Sequence, residues 1–154
     1  MLKVALAACF GLVATQSYAA CRDDQVLLRG DWGQARFSVE IADDPAELSQ
    51  GLMHREKLAT SAGMLFLYEK PGSLTFWMRN TLIELDMVFI DPQGVVAHVH
   101  HRAQPLDETP IAGGDGLQAV LEINGGLAER MGIVSGSEIK HPFFGKNAAW
   151  PCEE

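Results

Sequence analysis

Strand-length apolar runs, closed by turn signals and joined without long helical crossovers, limit what this chain can fold into. Ala35, Phe37, Val39 and Ile41 alternate with Arg36, Ser38 and Glu40, the period-two pattern of a strand with one wet face. Residues 63–68 form a continuous apolar run of strand length. Pro71-Gly72 reads as a turn into a paired strand over 74–79. Leu74, Phe76 and Met78 then share one face and Thr75, Trp77 and Arg79 the other. Asn80 and Thr81 interrupt this strand. Residues 85–90 make another, and Asp91-Pro92-Gln93-Gly94 turns it into a hairpin with residues 95–100. The stretch 102–116, with two prolines and three glycines, reads as a loop. Strands over 117–123 and 139–141 complete the set.

Two short helices fit between these runs. Asp44 is an N-cap, Pro45 suits the first helical position and Glu47 closes a capping box, with Leu48 and Leu52 one turn apart. Asn124 caps a second helix through Met131, and Gly132 ends it. About seven strands and two short helices predict a mainly β fold, an antiparallel sandwich or closed barrel.

The chain has 154 residues, which suits one domain. Residues 1–19 differ from the rest: Lys3 precedes an uncharged apolar run, then a polar end with small residues at Ser17 and Ala19. This is the layout of a secretory signal peptide, and the apolar run is shorter than the roughly 20 residues of a membrane-spanning helix. The expectation is a signal peptide over 1–19, a single mainly β domain over 20–154 without a transmembrane segment, and a periplasmic or secreted location. Losing Lys3 alone among the charged residues leaves 11 basic against 20 acidic side chains, a net charge of −9. Such a surface carries no basic stripe for nucleic acid. The two cysteines that remain, Cys21 and Cys152, stand at opposite ends of the mature chain and are assigned to a disulfide, which an oxidising compartment permits. Two unpaired tail thiols, or lipidation of Cys21, are the alternatives.

Chemistry-bearing motifs are sparse. Gly113-Gly114-Asp115-Gly116 lacks the Lys-Ser/Thr ending of a phosphate loop, and no Gly-x-Ser-x-Gly elbow occurs. His98 and His100 share a strand face, but no third ligand is identifiable, so no metal and no cofactor is assigned. Asp86 and Glu122 lie beside apolar strand residues. A carboxylate so placed must be paired, hydrogen-bonded or neutralised, with Arg55, Arg79, Asn80, Thr81 or free backbone N–H groups as partners. The same two acids are the candidate pair for general acid–base work. Met53, Met64, Met78 and Met87 add soft apolar surface near Trp77.

Gly51-Leu52-Met53-His54-Arg55, Gly63-Met64-Leu65-Phe66, Phe76-Trp77-Met78-Arg79-Asn80-Thr81, Leu85-Asp86-Met87-Val88-Phe89-Ile90-Asp91 and Val120-Leu121-Glu122 occur in that order. Together they resemble the bacterial and archaeal family catalogued as domain of unknown function 192, over about residues 35–140. The resemblance implies a compact, mostly β fold, often secreted or anchored outside the cytoplasmic membrane. It implies no established activity, cofactor or catalytic residue. Arg79 departs from the family's usual Lys, Gly136-Ser137 from its Gly-Asp, and the three histidines from 98 to 101 lie outside its pattern.

The functional expectation is a binding or interaction module for a small molecule, glycan or peptide of the cell envelope. Its candidate contacts are Met53, Arg55, Trp77, Met78, Arg79, Asn80, Thr81, Asp86 and Glu122, because aromatic and Met surface with a few fixed polar groups builds such pockets. The alternatives are an envelope hydrolase using Asp86 and Glu122, and a purely structural envelope protein.

Overall fold

Alternating apolar residues need a second layer to cover them, and here one sheet supplies most of that cover by curling on itself. The computed structural model describes residues 21–152, so the signal peptide assigned to 1–19 lies outside the described residues. The elements are β1 (Gln25–Gly30), β2 (Gly33–Ala42), α1 (Pro45–Gln50), β3 (Ala62–Phe76), β4 (Leu85–Ile90), β5 (Val96–Ala103), β6 (Ile111–Asn124), α2 (Leu127–Met131) and β7 (Glu138–Lys140), with a 3-10 helix at Pro142–Asn147. All seven strands belong to one sheet in the order β5-β4-β6-β3-β2-β1-β7.

The sheet is an open half-barrel, which corrects the expected sandwich or closed barrel. Its edge strands approach at one end only, through a single bridge between Val95 and Glu138 supported by Val96 N donating to Ser137 O at 2.8 Å. Nor is the sheet purely antiparallel: β2 and β3 run parallel, Ser38 opposite Ala62 through Ala42 opposite Phe66. A parallel pair needs a crossover, and residues 43–61, carrying α1, provide it.

The expected number of strands survives through two differences that cancel. The segments 63–68 and 74–79 are not a hairpin, because β3 runs through Pro71-Gly72 and pairs with β6 along its length, with register shifts between Leu67 and Thr75. Pro71-Gly72 marks a bulged bend, which punctuates a strand without reversing it. Correspondingly, residues 111–116 are strand and not loop. The strand gained is β1, whose Val26 and Leu28 are fully buried while Leu27 is half-buried. The second helix starts after Gly126, not Asn124, and ends at Gly132 in the left-handed conformation, φ 83°. The side chain of Asn124 instead donates to the backbone carbonyls of Leu58 and Ala59 at 3.2 and 3.0 Å.

Two apolar clusters lie on opposite faces of the sheet. The concave side draws on all seven strands, from Val26 and Phe37 through Leu65, Leu121, Val88 and Val96 to Ile139, and is plugged by Leu127 and Ala128 of α2. The convex side gathers Met64, Phe66, Met87, Phe89 and Val120 under Leu52, Leu74 and Met78. Covered on both faces, every residue of β4 is buried, which explains its unbroken apolar run. Cys21 and Cys152 are joined by a disulfide, Cα atoms 5.8 Å apart, so both ends of the described chain meet beside the sheet.

Candidate functional site

Cross-strand register decides which acid goes where. Glu122 on β6 stands opposite Met64 of β3 and Met87 of β4, on the convex face. Asp86 on β4 stands opposite Ile123, on the concave face with Val88 and Ile90. The two carboxyl groups are therefore on opposite sides of the sheet and share no space in which to act as an acid–base pair.

Asp86 is fully buried and its oxygens are occupied. They accept backbone N–H bonds from Arg102, Gly126 and Ala128, each at 2.8 Å, so the carboxylate ties β5 and the start of α2 to β4. Its role is to hold these elements together.

Glu122 is the opposite case. It is 5% exposed, and among the described residues no hydrogen bond or ion pair reaches its carboxyl. Every fully enclosed side-chain nitrogen or oxygen among the described residues has a partner, so the unpartnered oxygens of Glu122 must keep contact with open space. That space is a cleft of about 90 Å³ walled by Leu52, Met53, Phe66, Tyr68, Phe76 and Trp77, with Thr81 at its side. Burial without a compensating partner disfavours the charged form and pushes Glu122 up to about 8. Tyr68 is pushed up as well, first by burial and then by the nearby Glu122 charge.

Local structure builds the walls. Oδ1 of Asp44 accepts from Ala46 N and Glu47 N at 2.8 and 2.9 Å, the N-cap expected of it, and fixes α1 above the sheet. Gly51 ends α1 at φ 49°, where a Cβ would press within 2.9 Å of the Phe66 ring. Residues 52–55 then fold back over β3, and His54 N donates to Asn80 O at 2.8 Å. Asn80 has φ 53°, a conformation Asn tolerates better than most residues. It turns the chain after Trp77, and Asn80 Nδ2 reaches Met53 Sδ at 3.8 Å. Trp77 is 46% exposed at the cleft mouth, with the Arg79 guanidinium 5.4 Å from its ring centre. Outside lies a wider, open groove of about 480 Å³, bordered by Ser49, Gln50, Met53, His54, Trp77, Arg79 and Asn80.

The expected patch thus divides. Met53, Trp77, Arg79, Asn80, Thr81 and Glu122 gather around the cleft and its groove. Met78 does not, being fully buried in the convex core. Asp86 is on the other face. Arg55 is spent on Glu40, at 2.9 and 2.6 Å, where its hydrogen bond holds the Glu40 carboxyl below the usual range. Neither Arg55 nor Arg79 pairs with a buried acid. Sequence reasoning missed Ser49, Gln50, Phe66, Tyr68 and Phe76 as cleft walls. Alternation through Met64, Phe66 and Tyr68 was the available signal, since it puts them on the face shared with Glu122.

The histidines lie elsewhere. His98 stacks on Phe89, ring centres 5.8 Å apart, and burial with its histidine neighbours pulls His100 below its ordinary value. No cluster of three or more metal-ligating side chains occurs among the described residues, and no helix there is long and apolar enough to cross a membrane.

Comparison places the fold among known ones. The family model DUF192, described as an uncharacterised ACR, matches residues 27–141. A protein of unknown function from Novosphingobium aromaticivorans DSM 12444 is similar at 43% identity and a TM-score of 0.73, over 75% of this chain and 82% of that one. A chain from Sinorhizobium meliloti 1021, provisionally described as a transcription regulator, is similar at 34% identity and a TM-score of 0.74, over 78% and 94%. No curated protein matches the sequence.

Proposed function

The chain belongs to the DUF192 family, whose description names no activity, and from that premise we propose that it is an exported binding module whose Glu122 cleft takes the end group of a small envelope ligand or peptide. One observation carries the reading: a nearly buried carboxyl without a protein partner, at the floor of a cleft whose mouth is an exposed Trp. Buried polar groups are ordinarily satisfied, as Asp86 is, and an exception aimed into an aromatic-walled opening supports a ligand in that place. A purely structural protein has no use for such an exception. The envelope location is supported by the signal-like composition of residues 1–19 and by the Cys21–Cys152 bridge, which oxidising compartments favour. Finding the native protein in the cytoplasmic fraction would remove that part and leave the cleft untouched. The regulator description of the S. meliloti chain finds no support in this one, whose formal net charge of −8 opposes phosphate contact.

A thermal-shift screen of envelope metabolites, glycans, peptides and metals tests the binding. A ligand at a hundred times its Kd adds about 2.7 kcal/mol, a rise on the order of 10 °C for a domain of this size. Trp77→Ala, at an exposed position, is expected to leave the unliganded Tm nearly unchanged and to erase the shift. A blank screen, or a shift indifferent to Trp77→Ala, counts against the cleft.

A further inference from the structure

Resting on the reading of the cleft as a ligand site, we propose that the ligand presents an alkylammonium group, from a free amine or a lysine side chain, which docks on the Glu122 carboxylate between the aromatic walls. The inner cleft, about 90 Å³, is well below the roughly 300 Å³ at which pockets for whole drug-sized ligands begin. It takes an end group, and an ammonium is a more compact cation than a guanidinium. Phe66, Tyr68, Phe76 and Trp77 line it, and aromatic faces attract cations. Arg79 already sits over Trp77 in this way. No Lys, Arg or His lines the inner cleft, so an anionic end group would meet Glu122 with nothing to offset it. The outer groove, with Ser49, Gln50, His54 and Asn80 along it, receives the rest of the ligand.

Docking moves one proton. The empty carboxyl carries it through neutral pH, since burial raises Glu122 to about 8. An ammonium restores the carboxylate, the proton leaves to solvent and the amine keeps its own. Affinity therefore tightens with rising pH until the carboxyl is already ionised. His54 stands in the outer groove and His98 on the convex face, so the comparison with Glu122→Gln is what assigns the pH slope to the carboxyl. Tyr68 on β3 is shifted upward and stays neutral. His100, on the same face across Met87, is shifted downward and is neutral above its ordinary range. The part of α1 that lines the cleft, Leu48, Ser49 and Gln50, carries no charge.

The test is calorimetric titration of the full mature chain with n-butylammonium at pH 6, 7 and 8, in two buffers of different ionisation enthalpy. The neutral counterpart of equal length is 1-butanol, and Nα-acetyl-lysine methylamide stands for a lysine in a polypeptide. The expected result is at least tenfold preference for butylammonium over butanol at pH 8, affinity tightening by up to about tenfold per pH unit, and release of close to one proton at pH 6, falling to about half of one at pH 8. Glu122→Gln should lose both the preference and the pH slope. If that variant does not fold, the wild-type proton count decides alone. Tighter binding of the lysine amide points to a polypeptide source and equal binding to a free amine, and either supports the ammonium. Equal affinity for butanol and butylammonium overturns the ammonium and leaves the cleft as a ligand site. So does absent butylammonium binding when another ligand scores in the thermal screen. Absence of both removes the two readings together.

Discussion

Glu122 and Asp86 sit on neighbouring strands, a single register step apart, in surroundings that demand opposite things of a carboxyl group. The folded Glu122 titrates near 8 and its unfolded form near the ordinary value of about 4.3. Between those values the folded chain holds a proton that the unfolded chain has released. Stability is thus complete below the unfolded value and is lost as pH rises through the folded one. The slope approaches 1.4 kcal/mol per pH unit. Glu122→Gln abolishes it, so the stability of the variant minus that of wild type should grow by ~4 kcal/mol between pH 5 and pH 9. Urea denaturation across that range reads the difference, and a constant value would show that the carboxyl is solvated or paired in solution. His100 and His141, both shifted downward by burial, act in both proteins and cancel. For Asp86 the expectation concerns stability alone. Asp86→Ala leaves three backbone N–H groups without their acceptor and should cost about 3 kcal/mol or more, seen as a lower urea midpoint at unchanged slope.

At the scale of the element, α1 is a short helix resting on its cap, and it walls the cleft. Removing the cap with Asp44→Ala should cost about 1 kcal/mol and weaken cleft ligands measurably in the same calorimeter, although Asp44 does not line the cleft. Unchanged affinity would mean that the 52–55 segment holds α1 in place by itself. This element was legible because Asp44, Pro45 and Glu47 are local signals, and β2, β4 and the Asp91–Gly94 turn were legible for the same reason. What failed was non-local. Pro71-Gly72 looks the same in a turn as in a bulge, and only pairing with β6 shows that β3 continues. Period-two alternation says which face a residue takes but not whether its neighbour runs parallel, so the β2–β3 pairing was hidden. Met78 and Trp77 were both assigned to the patch as strand residues, yet β3 ends at Phe76 and beyond it Met78 turns into the core while only Trp77 reaches the surface. Asp86 and Glu122 each looked buried in sequence. That they are divided by the sheet depended on register, which sets Asp86 opposite Ile123 and Glu122 opposite Met87 across two segments distant in sequence.

For the molecule as a whole, the disulfide and the incomplete seam complement each other. The β5 and β7 edges meet at one bridge, so little backbone pairing closes the barrel. The Cys21–Cys152 bond spans 131 residues and encloses the entire sheet within one covalent loop. In the chain-entropy model such a loop contributes about 4–5 kcal/mol, less any strain. Replacing both cysteines by serine should lower Tm by on the order of 10 °C, and treatment with reductant should reproduce that fall in wild type but not in the variant. Equal Tm values for the two oxidised proteins would show the bridge to be dispensable. The loop also gives the described chain the topology of a ring. One cut by a protease, for instance in the exposed stretch around Leu106, opens the ring without dividing the molecule. Both fragments stay attached and paired in the sheet until a second cut or a reductant separates them.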